Sequence, residues 1–144
     1  MKCITLWQPW ATWIALGWKT IETRTHPRFV GLVGKHIAIH AGLRWDKDAV
    51  RLASIWLADW QVLQTRSFRD IHGVVVCTAH VDRHTRLSGD CSRAAKIDCC
   101  HTKRYGLFFS DIQKLPEAMP AKGHQGIWNV DLSPNPKEGE GWGR

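Results

Sequence analysis

Six strand-length runs limit what this chain can fold into. Residues 2–7, 19–24, 35–41, 73–81, 105–112 and 126–131 are rich in β-branched and apolar side chains, and Gly or Pro punctuates the gaps between them. Only two stretches carry helical spacing. One starts at Pro9, places Trp10, Trp13 and Ile14 on one face and stops at Gly17. The other spans about residues 47–64, with Asp46 as its N-cap and an apolar stripe of Ala49, Leu52, Ala53, Trp56, Trp60 and Leu63. Strands outnumber helices and do not alternate with them, which argues against a doubly wound parallel sheet. The expected class is α+β: a small mixed β-barrel of five or six strands with flanking helices.

The chain has 144 residues, enough for one domain with a real core. Residues 1–132 read as that domain. Residues 133–144, dominated by Pro, Gly and Glu, read as a flexible C-terminal tail. Twenty Lys+Arg against 13 Asp+Glu leave a net charge of +7, which favours phosphate-bearing partners. Residues 83–104 hold a net +4 of that excess, as a solvated face or a nucleic-acid arm. No run reaches the ~18 apolar residues of a membrane span, so no membrane partner is expected. The start, Met1-Lys2-Cys3-Ile4-Thr5, does not read as a signal peptide. The expected compartment is intracellular: cytoplasmic, or nuclear in a eukaryote.

Five cysteines without a secretory signal read as free thiols. Cys3 and Cys77 fall in apolar strands and are expected in the core. Cys91, Cys99, Cys100 and His101 lack the short paired spacings of structural zinc sites and read as scattered surface groups, so no metal is expected. No cofactor-binding glycine loop is present.

The motifs resemble a known family. Leu6-Trp7-Gln8-Pro9-Trp10-Ala11 followed by Leu16-Gly17-Trp18-Lys19-Thr20-Ile21-Glu22-Thr23-Arg24 resembles the opening signature of ASCH domains, named for homology to an activating signal cointegrator, in the PUA-like superfamily. Gly34 to Ala41, Gly73 to Cys77, Tyr105 to Phe109 and Pro120 to Trp128 resemble later motifs of that family, in order. The resemblance implies a PUA-like pseudo-barrel with a cleft over one side. It also implies nucleic-acid binding, RNA ahead of DNA, including modified or flipped bases. Some relatives hydrolyse N4-acetylcytidine, and a ribonuclease activity is attributed to one. In the acetylcytidine hydrolases a lysine sits in a Gly-x-Lys-Thr-Ile run that Lys19 matches, with a threonine three residues on where this chain has Glu22.

The residues support a nucleotide cleft independently. A helix opening at Pro9 leaves backbone N–H groups free to attract phosphate. Glu22 and Arg24 share a strand face, with Lys19 on the other face unless a bulge re-aims it. Glu22 and Arg24 either pair with each other, or Arg24 grips phosphate while Glu22 orients it or accepts from a base. Gln8 and Trp10 would supply an amide and a stacking plane, and Lys122 and Gln125 either form a plain turn or close the cleft opposite the first helix. The candidate nucleic-acid contacts are therefore Gln8, Trp10, Lys19, Glu22, Arg24, Lys122 and Gln125. Lys19 is the one catalytic candidate should the domain be a hydrolase. A protein partner for the Trp-rich helix is a third reading, and it requires Trp56 or Trp60 to be exposed.

Overall fold

The computed structural model describes residues 1–133. The expected tail, residues 133–144, lies outside the described residues except for Ser133. Six strands form one mixed sheet: β1 (Lys2–Gln8), β2 (Ile21–Arg24), β3 (His36–Trp45), β4 (Val74–Arg86), β5 (Tyr105–Pro120) and β6 (Ile127–Asn129). Their order is β2-β5-β4-β3-β1-β6. β1 runs parallel to β3, with Cys3 beside Ala38 and Thr5 beside His40. The remaining neighbours are antiparallel. The α+β class and the flanking helices are as expected. The sheet does not close: β2 and β6 are its two edges and are not hydrogen-bonded to each other.

Strand patterning follows from burial on one or both faces. Ile4, Leu6, Ile37, Ile39, Ala79, Val81 and Leu107 fill the central core beneath α1 (Trp10–Ala15). Cys3 and Cys77 are fully buried as expected, and desolvation pushes both thiols up to about 12. The α1 helix follows a cis Gln8–Pro9 peptide. It ends where Gly17, at φ +76°, bonds back to the Ile14 carbonyl and Trp18 bonds to Trp13.

The expected long helix is broken in two. α2 (Ala49–Ala53) runs into a short 3-10 turn, the chain extends at Leu57 and Ala58, and α3 (Asp59–Thr65) restarts. The break lets both halves wrap Trp13. Ala49, Ala53 and Phe68 pack against its buried indole, whose Nε1 donates to Thr65 Oγ1 at 3.0 Å. A straight helix would carry Thr65 and Phe68 away from it. The apolar stripe therefore splits, leaving Trp60 exposed and Trp56 half-buried. Asp46 does not cap α2 through its side chain; its Oδ1 accepts from Asp48 N–H and its Oδ2 from the Trp10 indole.

Segment 83–104, expected as a solvated or disordered face or as a nucleic-acid arm, is folded. Residues 83–86 continue β4, and α4 (Ser92–Ala95) follows. Leu87, Ala95 and Cys99 are buried against Ile21, so Cys99 is a core group and not a surface thiol. Among the described residues, no helix is long and apolar enough to cross a membrane, and no three His, Cys, Asp or Glu side chains converge as metal ligands.

Candidate nucleic-acid interface

Two adjoining cavities lie on one side of the sheet. The smaller, about 310 Å³, is lined by Trp10, Lys19, Glu22, Asp46 and Arg104 among others. The larger is an open groove of about 1030 Å³ between the end of β2 and the loop that leads into β6. Thr5, Trp7 and Arg24 line both.

The sheet pleat builds the floor of the groove. Thr5 and Trp7 alternate on β1, and His40, Gly42 and Arg44 alternate on the adjacent β3, so both sets face the same way. Arg44 lies over the Trp7 ring at 5.2 Å. The walls carry Arg24, His26, Arg28 and Phe29 on one side and Lys122, His124 and Gln125 on the other. Among the described residues, no carboxylate lines this groove. Among the described residues, Arg24, Arg28, Arg44 and Lys122 form no ion pair. Arg24 lies over the Phe29 ring at 5.0 Å with its Nε unpartnered.

Lys19 precedes β2 in irregular chain, which corrects the expectation of a strand residue on the opposite face. Its amine reaches the Glu22 side, donates to the Ala95 carbonyl, stands 3.9 Å from Glu22 Oε1 and lies 4.9 Å from the Trp10 ring centre. Only 1% of its surface is exposed. Desolvation lowers its pKa to about 8, against the opposing pull of Glu22. The Glu22–Arg24 pair does not form: Glu22 faces Lys19 and accepts from Thr23 N–H at 2.8 Å.

Gln8 is turned inward and belongs to neither lining. Its Oε1 accepts from Thr12 N–H at 3.0 Å, and its Nε2 donates to Thr12 Oγ1 and to the Ile71 carbonyl. Gln8 thus caps α1 and uses up an N–H that was expected to attract phosphate. Pro9 O takes the Trp13 N–H as well. Of the N–H groups expected to attract phosphate at this helix start, that of Thr12 is thus taken by Gln8.

Trp10, Lys19, Glu22 and Arg24 come together at the small cavity, while Arg24, Lys122 and Gln125 share the groove. Sequence reasoning missed Thr5, Trp7, Arg28, His40 and Arg44; the period of two along β1 and β3 was the signal that could have found them. His40 is buried, donates from Nε2 to the Ala121 carbonyl at 2.8 Å, and keeps an unpartnered Nδ1. Desolvation lowers its pKa, against the Ala121 hydrogen bond, and so favours the neutral ring.

This open mixed sheet with flanking helices is the fold of solved ASCH structures. The ASCH protein of Zymomonas mobilis matches with a TM-score of 0.55 and 14% identity, covering 91% of this chain and 87% of that one. A serine-to-alanine variant of the Zymomonas protein matches at 0.53 and 12%, over 91% and 88%. A tyrosine-to-phenylalanine variant matches at 0.55 and 14%, over 91% and 90%. At these identities the likeness establishes the fold. No protein-family model matches the sequence, and no curated protein matches it.

Proposed function

We propose that this domain binds a single-stranded or flipped nucleotide of a nucleic acid, RNA ahead of DNA. The observation that carries the reading is the groove. Among the described residues, four cations without an ion pair and no carboxylate line a channel that opens, past Arg24, into a cavity lined by two indoles, an ammonium and two carboxylates. That cavity falls at the small end of ligand-site volumes. Phosphates lodge at Arg24, Arg28, Arg44 and Lys122, where arginine forks suit phosphate oxygens. A base enters the small cavity, where Trp10 and Trp7 present aromatic surface and Lys19 and Glu22 offer a donor beside an acceptor. Stacking there contributes ~1–3 kcal/mol.

The test is direct titration of fluorescent RNA and DNA oligonucleotides at low salt. The expected result is saturable binding, weakened by Arg24→Ala and by Lys19→Ala in protein that stays folded. Failure of every oligonucleotide to bind would remove the reading. One observation favours a second reading, a hydrolase of modified nucleoside or RNA: an amine with its pKa near 8 can supply a neutral base or nucleophile close to neutral pH. It predicts product from N4-acetylcytidine or RNA that Lys19→Ala abolishes.

A further inference from the structure

Outside the groove, a row of polar side chains crosses three neighbouring strands. His36 opens β3 and lies directly opposite His80 on β4, which in turn lies opposite Ser110 on β5. The two imidazole rings have centroids 5.0 Å apart. Each ring is held by a carboxylate on one nitrogen only. His36 Nε2 meets Asp111 Oδ2 at 2.9 Å, and His80 Nδ1 meets Asp82 Oδ1 at 2.6 Å. A further layer holds the carboxylates: Ser110 Oγ donates to Asp82 and Gln113 Nε2 donates to Asp111. The β4–β5 register shifts in this region, and Asp111 takes a φ of +46°. A bulge of this kind re-aims a side chain, here across β4 toward His36 on β3.

Among the described residues, this arrangement leaves His36 Nδ1 and His80 Nε2 without a hydrogen-bond partner. Metal-binding histidines nearly always donate their other ring N–H to a carboxylate, which orients the ring and raises its basicity. An ion ~2.0–2.1 Å from one nitrogen of each ring, at a roughly tetrahedral angle, places the ring centres about 5 Å apart. The observed separation meets that requirement. Imidazole pairs select Zn²⁺, Cu²⁺ or Ni²⁺ over Mg²⁺ and Ca²⁺.

We propose that His36 and His80 form a two-imidazole site for a first-row transition dication, with Asp111 and Asp82 as its outer-shell orienting partners. With no third protein ligand converging among the described residues, the ion keeps water at its remaining positions and exchanges readily. Bound there, it ties β3 to β4. None of the groove residues takes part, so the site stands or falls independently of nucleic-acid binding.

The test is calorimetric titration of the full chain with Zn²⁺, with Cys91→Ser and Cys100→Ser in the background so that accessible thiols do not compete. Imidazole nitrogen chemical shifts are read in parallel. The expected result is one equivalent bound with micromolar affinity, with shifts at His36 Nδ1 and His80 Nε2. Affinity should fall at least about tenfold in His36→Ala and in His80→Ala, and by about tenfold in Asp111→Asn with the same nitrogens still shifting. All four side chains are at least partly exposed, so circular dichroism should show these variants folded. No binding below millimolar Zn²⁺ would overturn the proposal. So would affinity unchanged in the His36→Ala/His80→Ala double variant.

Discussion

Lys19 is a buried amine beside a carboxylate, and its protonation sets a measurable pH dependence. In the native state its pKa is about 8, while an unfolded lysine titrates near ~10.4. Between those values the unfolded chain binds a proton that the native chain gives up, so stability rises with pH across that window. The gain approaches about 3 kcal/mol at the upper end. Cys3 and Cys77 act in the opposite sense: with native pKa values of about 12, their contribution is present below the ordinary thiol range and lost as pH rises above it. The difference between wild type and Lys19→Met isolates the amine. Urea unfolding should show wild type gaining on the variant from about pH 7 to about pH 10, where the opposite trend or a flat difference would mean an ordinary lysine. Arg24 supports a second prediction. Its guanidinium lies over the Phe29 ring at 5.0 Å with its Nε unpartnered, so Arg24→Lys keeps the charge but loses planar recognition. Oligonucleotide affinity should fall about tenfold or more in a binding titration, with no change in melting temperature beyond about 2 °C.

At the level of elements, the loop between β5 and β6 is positioned by a contact that only glycine allows. A Cβ on Gly123 would sit 2.6 Å from His40 Cε1, 2.8 Å from His40 Nδ1 and 3.0 Å from Thr5 Oγ1. His40 cannot easily swing away, because it bonds the Ala121 carbonyl and packs edge-on to Trp128. Gly123→Ala should therefore cost about 1–3 kcal/mol in chemical denaturation and shift Lys122 and Gln125 enough to weaken oligonucleotide binding. This contact was not legible in the sequence, since it joins residues on three separate elements. What was legible is local: six strands by composition, the α1 stop at Gly17, and burial of Cys3 and Cys77. The long helix was misread because its apolar stripe has the right spacing, while the break at Leu57 and Ala58 serves Trp13, which lies far back in the chain. Gln8 was misread for a similar reason. A glutamine before a helix can face a cleft or cap the helix, and the acceptor that decides it, the Ile71 carbonyl, is 63 residues away. Segment 83–104 is legible in its net +4, whose charged side chains are mostly exposed, while the packing beneath them is not. Three of its apolar groups, Leu87, Ala95 and Cys99, are buried against Ile21, with Cys91, Ala94 and Ile97 packed around them, and the Ala95 carbonyl accepts from Lys19.

For the whole molecule, the open sheet and the charge excess belong to one design. The sheet stops at β2 and β6, and the groove runs between residues at the end of β2 and those leading into β6. Closing the barrel would leave no room for a ligand between those edges. The net charge of +7 is not spread evenly with respect to this opening, because the groove gathers Arg24, Arg28, Arg44 and Lys122 with no carboxylate among the described residues. Such a channel binds a polyanion largely by releasing condensed counterions, and each phosphate neutralised on a single strand adds about −0.7 to the slope of log K against log salt. If all four cations engage, the slope should be about −3. Lys122→Ala should make it shallower by about 0.7, whereas Arg51→Ala should leave it unchanged. Arg51 is an exposed α2 residue already paired with Asp48 and lies outside the groove. Equilibrium titrations of one short RNA at several salt concentrations measure these slopes directly. A slope near zero, or equal effects of the two substitutions, would place the bound strand on some other face of the domain.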